Sequence, residues 1–104
     1  MIEKTLESLT KDQKSLLLYF ESCTVDYGGK VDLRRMNEDE IYIAKKWDKQ
    51  GFIQFGRIKF SDIVGHNTHY VFPSENAWNL AHEERRARFN RLNEKRNWIA
   101  VKEL

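Results

Sequence analysis

Asn37-Glu38-Asp39-Glu40-Ile41-Tyr42-Ile43-Ala44-Lys45-Lys46-Trp47-Asp48-Lys49-Gln50-Gly51-Phe52-Ile53 decides the reading of this chain. Asn37 can cap a helix and Glu40, three residues on, completes a capping box in which each side chain takes a free backbone N–H. Gly51 offers the left-handed stop that ends a helix. At about 100° per residue, Ile41, Ile43, Ala44 and Trp47 share one arc, the expected core side. Tyr42, Lys45, Lys46 and Lys49 share the opposite arc, with Glu38 at its start. The segment therefore predicts an amphipathic helix whose exposed face carries three lysines and a tyrosine.

Working back toward the N-terminus, Thr10 and Gln13 form a second capping box. Leu16, Leu17, Phe20 and Cys23 follow at helical spacing and predict one apolar face, fading by Asp26 before Gly28-Gly29. Ile2, Leu6 and Leu9 suggest a short extra helical turn or two upstream. Lys30-Val31-Asp32-Leu33 reads as one short strand or as the entry to a small helix through Arg34, Arg35 and Met36.

Working forward, the texture changes to period two. Phe52, Ile53, Phe55, Ile58 and Phe60 favour a strand, with Arg57 and Lys59 interleaved. Gly65-His66-Asn67-Thr68 reads as a turn, and His69-Tyr70-Val71-Phe72 as the returning strand of a hairpin. Pro73-Ser74 ends that strand and caps a last helix. Ala77, Trp78, Leu80 and Ala81 give its first turns a wide apolar face, which narrows to Phe89 and Leu92. The first half should pack on the domain and the second half project. A narrow apolar seam on a projecting helix can pair with a copy of itself. Trp98, Ile99 and Val101 need a place to dock.

This order of elements, helix, short strand or turn, small helix, capped helix, hairpin and helix, resembles a winged helix-turn-helix domain. The residues that carry the resemblance are Leu9 to Phe20, Val31 to Met36, Asn37 to Ile53, and His69 to Ala81. The resemblance implies an α+β fold with a three-helix core and a β-hairpin wing over 10–72, and an extended basic C-terminal helix over 74–96, in one domain spanning 1–104. It also implies DNA binding, with the third helix in the major groove and the wing on the backbone or minor groove. Carried onto this chain, Tyr42, Lys45, Lys46 and Lys49 face the groove. Arg34 and Arg35 sit on the flanking phosphates, and Arg57 and Lys59 are wing contacts.

The chain has 104 residues, 40% hydrophobic and 33% charged, with three Trp, four Tyr and six Phe. That supply of core-forming side chains excludes a disordered tail. No run approaches the roughly 20 apolar residues a membrane span needs. The opening MIEKTLESLTKDQKS has no signal-peptide core, and Cys23, the single cysteine, cannot form an internal disulfide. A cytoplasmic protein is the expectation. The net charge is +2, but residues 1–52 carry −1 and residues 53–104 carry +3. Arg85, Arg86, Arg88, Arg91, Lys95 and Arg96 face Glu94 alone over 85–96. That segment either attracts phosphate or an acidic partner, or is a solvated face screened by Glu83 and Glu84.

No catalytic or cofactor constellation stands out. His82-Glu83-Glu84-Arg85-Arg86 has Arg86 where a zinc-protease motif needs its second histidine. His66, His69 and His82 read as surface residues and Cys23 as packed core. Gly28-Gly29 lacks the Gly-Lys-Ser/Thr ending of a phosphate loop. The expectation is a small DNA-binding protein, a transcriptional regulator with no cofactor, with double-stranded DNA as partner. It would dimerise through Arg85, Arg88, Phe89 and Leu92 on the last helix. The alternative is a winged-helix protein-interaction module that adapts or inhibits transcription or replication machinery. A weaker third reading places RNA on the Arg85–Arg96 segment.

Overall fold

Both capping boxes form. In a computed structural model, Gln13 N–H donates to Thr10 Oγ1 at 3.1 Å and Thr10 N–H to Gln13 Oε1 at 2.9 Å. The same reciprocal pair joins Asn37 and Glu40, at 2.8 and 3.0 Å. They open α1 (Lys11–Tyr27) and α2 (Glu38–Lys49). The structure describes residues 3–103, with side chains through Lys95. The expectations placed on Ile2, Trp98, Ile99 and Val101 lie outside the described side chains. The remaining elements are β1 (Lys30–Val31), β2 (Ile53–Arg57), β3 (His69–Pro73) and α3 (Glu75–Glu103), with 3-10 turns at Leu6–Ser8, Leu33–Arg35 and Phe60–Asp62.

The protein is α+β, three helices with a three-stranded antiparallel sheet in the order β1-β3-β2. Phe55 lies opposite Val71 and Arg57 opposite His69. Gly28, at φ 61°, caps α1, and Gly29 N–H donates to Cys23 C=O at 2.9 Å. Gly29 is required twice over. Its φ is 89°, and a Cβ there would stand 2.8 Å from the Val71 carbonyl oxygen. Its own carbonyl accepts from Val71 N–H at 2.8 Å, which brings the end of α1 onto the central strand.

Phe20 is fully buried where α1, α2 and the sheet meet. Its ring lies 6.4 Å from Trp47 in an edge-on arrangement and 5.9 Å from Phe55. Leu16, Leu17, Val31, Ala44, Ile53, Val71, Ala77 and Ala81 are among the other core residues. Asp48, on α2, accepts from Phe55 N–H at 3.0 Å. That N–H points away from β3, so the carboxylate occupies a donor on the sheet's outer edge that could otherwise pair with another strand.

Three expectations need correction. The second helix is a single 3-10 turn, Leu33–Arg35, and not a helix through Met36. Asp32 accepts from Arg34 N–H at 3.0 Å and caps the start of the turn. Met36 is already extended and Asn37 is already the cap of α2. The strand stops at Arg57 and does not reach Phe60. Ile58 N–H makes a further pairing with Thr68 C=O at 3.0 Å, and the chain then enters a 3-10 turn. Trp78 is only half-buried, its ring 4.6 Å from that of His82.

The first half of α3 lies antiparallel against α1 across a polar seam. Two carboxylates are sunk in it, Glu21 at 5% exposure and Glu84 at 4%. Arg85 Nε donates to Glu21 Oε1 at 2.6 Å, and His82 Nε2 lies 3.2 Å from Glu21 Oε2. Arg88 Nε donates to Glu84 Oε2 at 2.6 Å, with Arg91 at 3.5 Å. Arg88 also reaches Ser15 Oγ at 3.1 Å, and Arg85 reaches Ser22 Oγ at 3.4 Å. Ser74 caps α3 as expected, accepting from Ala77 N–H at 3.1 Å. No described helix is long and apolar enough to cross a membrane.

Glu21→Ala leaves Arg85 without its carboxylate partner and opens the seam. It should cost about 1–3 kcal/mol, since a charged hydrogen bond is lost at a buried site while Arg85 can still reach water. Urea unfolding measures this, and a loss below about 0.5 kcal/mol would show that the seam does not hold α3 to α1.

Candidate nucleic-acid interface

The exposed arc of α2 is where the angular reading places it. Tyr42, Lys45, Lys46 and Lys49 are all exposed, while Ala44 and Trp47 are buried on the other side. Ile41 and Ile43 pack at the margin of the core. The exposed arc serves two neighbours. Tyr42 and Lys46 line a shallow concavity shared with Lys4, Ser8, Gln13 and Gln50 from the N-terminal segment and the helix ends. Lys45 and Lys49 lie exposed beside them.

The link to the hairpin is His69. Its ring stacks on Phe55 with centroids 5.6 Å apart and planes at 24°. Its Nδ1 shares a 2.8 Å hydrogen bond with Thr68 Oγ1. Burial holds its pKa below the ordinary histidine value, and the positive charges of Arg57 and Lys45 lower it further. One residue from α2 and one from β2 therefore act on the same imidazole. Arg57 and Lys59 are exposed on the hairpin.

The other predicted phosphate contacts are placed less favourably. Arg34 is bound to Asp32, with Nη2 2.9 Å from Oδ2 and Nε 3.1 Å from Oδ1. The Arg34 guanidinium holds the Asp32 carboxyl down at about 2, well below the usual carboxylate range. A phosphate would have to displace Asp32, so Arg34 contributes little net charge to the face. Arg35 is exposed. Glu38 and Asp39 stand exposed at the start of α2, where they complement the helix dipole.

On α3, Arg85 and Arg88 are engaged by Glu21, Glu84 and two serines, which assigns them to the fold. Phe89 and Leu92 remain 58% and 54% exposed. Arg86 and Phe89 border a surface depression with His82, Arg85 and Asn90. Cys23 is buried, and burial pushes its thiol pKa up. The Tyr19 phenol is likewise pushed up, mainly by burial, and donates to the Asp32 carbonyl at 3.2 Å. Neither group is poised as a nucleophile. Among the described residues no three His, Cys, Asp or Glu side chains gather as a metal site.

Sequence reasoning missed His69 and the two buried glutamates. The cross-strand pairing of Arg57 with His69 follows only from the hairpin register, which the length of an irregular loop does not fix. No protein-family model, curated protein or solved structure matches the chain.

Because folding lowers the pKa of His69, the unfolded chain takes up this proton at higher pH. The stability tied to neutral His69 is complete above about 6.5, the unfolded value, and is lost as pH falls through the lower folded value. NMR titration should place His69 below an ordinary histidine, and Lys45→Gln or Arg57→Gln should each move it up. An unchanged titration in both variants would mean the two cations do not converge on His69.

Proposed function

We propose that this is a winged-helix DNA-binding protein, a transcriptional regulator that lays α2 in the major groove and the β2–β3 hairpin on the flanking backbone. In this reading α1, the Leu33–Arg35 turn and α2 form the helical core and the hairpin is the wing. The observation that supports it best is the exposed arc of α2, where Lys45, Lys46 and Lys49 stand with Tyr42 opposite the buried Ala44 and Trp47. A helix with cations along one exposed face, packed on a strand that leads to the exposed Arg57 and Lys59, suits a duplex, whose phosphates flank the groove the helix enters. Tyr42, Lys46 and Lys49 extend the face along α2, and Lys59 along the hairpin. Arg35 is a flanking contact, while Arg34 is largely neutralised by Asp32.

The protein acts as a dimer in this reading, because operators commonly repeat and α3 offers a seam. Arg85 and Arg88 pin the first half of α3 to α1. The helix continues from Arg88 to Glu103, roughly 22 Å at the α-helical rise. Phe89 and Leu92 lie one helical turn apart at the start of that extension and are half exposed. A second copy of α3 would cover them.

Fluorescence anisotropy with a labelled duplex, titrated at several salt concentrations, tests the DNA reading. Four to five phosphate contacts give a slope of log K against log salt of roughly −3.5 to −4.5. Lys45→Glu combined with Lys49→Glu should abolish binding and leave the thermal melt unchanged, since both side chains are exposed. Retained affinity would remove α2 as the reader. Absence of binding at low salt would replace the regulator with a protein-interaction module.

Sedimentation equilibrium tests the seam separately. The wild type should sediment at twice the chain mass and Leu92→Glu at the chain mass. A wild-type monomer at high concentration would end the dimer reading without touching the DNA reading.

A further inference from the structure

Phe60 is 93% exposed, the most exposed of the large apolar side chains described. It does not sit on a loose loop. Lys59 C=O accepts from Asp62 N–H at 2.8 Å and Phe60 C=O from Ile63 N–H at 3.3 Å, so the ring stands on a hydrogen-bonded 3-10 turn. Beneath it the Ile58–Thr68 pairing closes the hairpin, and a bridge between Val64 and Asn67 with Gly65 at φ 63° closes the tip. A benzyl group held out by a defined turn forgoes the burial that Phe20, Phe52 and Phe55 obtain in the same domain. The ring is therefore free to meet a partner from outside the chain.

The surroundings favour one occupant. Phe60 directly follows Lys59 and is preceded by Arg57, both exposed. The ring thus stands within three residues of two exposed cations of the hairpin. Asp62 is the one carboxylate on this stretch, against the two cations. An apolar wedge flanked by cations is the arrangement with which proteins enter between stacked base pairs, the cations holding the backbone on either side.

We propose that Phe60 is a wedge that inserts between base pairs of a bound duplex and kinks it at a flexible pyrimidine–purine step. This rests on the DNA-binding reading and adds a deformation and a preference to it. TA and CA steps unstack most easily and stiff A-tracts resist, so the protein would favour sites by their deformability as well as by contacts from α2. The wing would then carry sequence preference without a hydrogen bond to any base.

The test uses two duplexes of equal length, one with a central TA step beside 2-aminopurine and one with an A-tract there, each also end-labelled for energy transfer. Wild-type protein should raise the 2-aminopurine emission and shorten the end-to-end distance of the TA duplex, and bind it more tightly than the A-tract duplex. Phe60→Ala should lose all three effects while keeping the salt dependence, because every cation remains. Phe60→Leu should restore them, and the exposed position makes both variants safe for folding. Salt-dependent wild-type binding with no unstacking and no bend would overturn the wedge and leave the DNA reading standing. No wild-type binding to either duplex would overturn both. A wild-type oligomer that Phe60→Ala dissociates would assign the ring to contact between copies and overturn the wedge.

Discussion

Phe20 is the point on which the arrangement of the charged surface depends. It is fully buried, with Trp47 of α2 on one side and Phe55 of β2 on the other. Packing of this density leaves α2 little freedom to rotate or slide against the sheet. The aromatic contacts continue outward, since Phe55 stacks on His69 and Trp47 packs edge-on against Phe52 with centroids 5.1 Å apart. A chain of rings therefore runs from the centre of the core to the imidazole that feels Lys45 and Arg57. The placement of α2 against the hairpin is set in the core.

Charge by itself is a poor guide to this surface. The run from Arg85 to Arg96 is the most basic stretch of the sequence, yet Arg85, Arg88 and Arg91 are drawn to two buried glutamates. Buried carboxylates without cations would be costly, so these arginines are components of the α1–α3 junction. Arg34 is similarly taken up by Asp32. What remains available on the α2 side, Lys45, Lys46, Lys49, Arg57 and Lys59, is a smaller set and a more coherent one. A net charge of +2 does not resolve this set, because it also counts Glu21 and Glu84 at the α1–α3 junction and Asp32 bound to Arg34.

The hairpin joins two different surfaces. Its paired part is tied to the core by Val71 and Phe55 and protected at its edge by Asp48. Its outer part turns back through two short hydrogen-bonded turns and exposes Phe60 and Val64. The alternation Phe52, Ile53, Phe55, Ile58, Phe60 looks like one continuous strand in sequence. Only the first part of it has a core to face, so the pattern of side chains outlasts the strand by several residues.

The sequence by itself determined the elements whose signals are local. Two capping boxes, Gly28 and Gly51 at the helix ends, and Ser74 before α3 each act through hydrogen bonds or backbone conformation within a few residues. The buried and exposed arcs of α2 were legible for the same reason, since helical periodicity assigns a face without reference to any partner. Only the tertiary structure decided which charges are free. Glu21 and Arg85 lie 64 positions apart, and Arg57 meets His69 through a register set across an irregular loop. Whether a cation is neutralised or exposed depends on what folding brings beside it. The second helix stays a single turn because Met36 is already extended and Asn37 already caps α2, while Asp32 caps only its start.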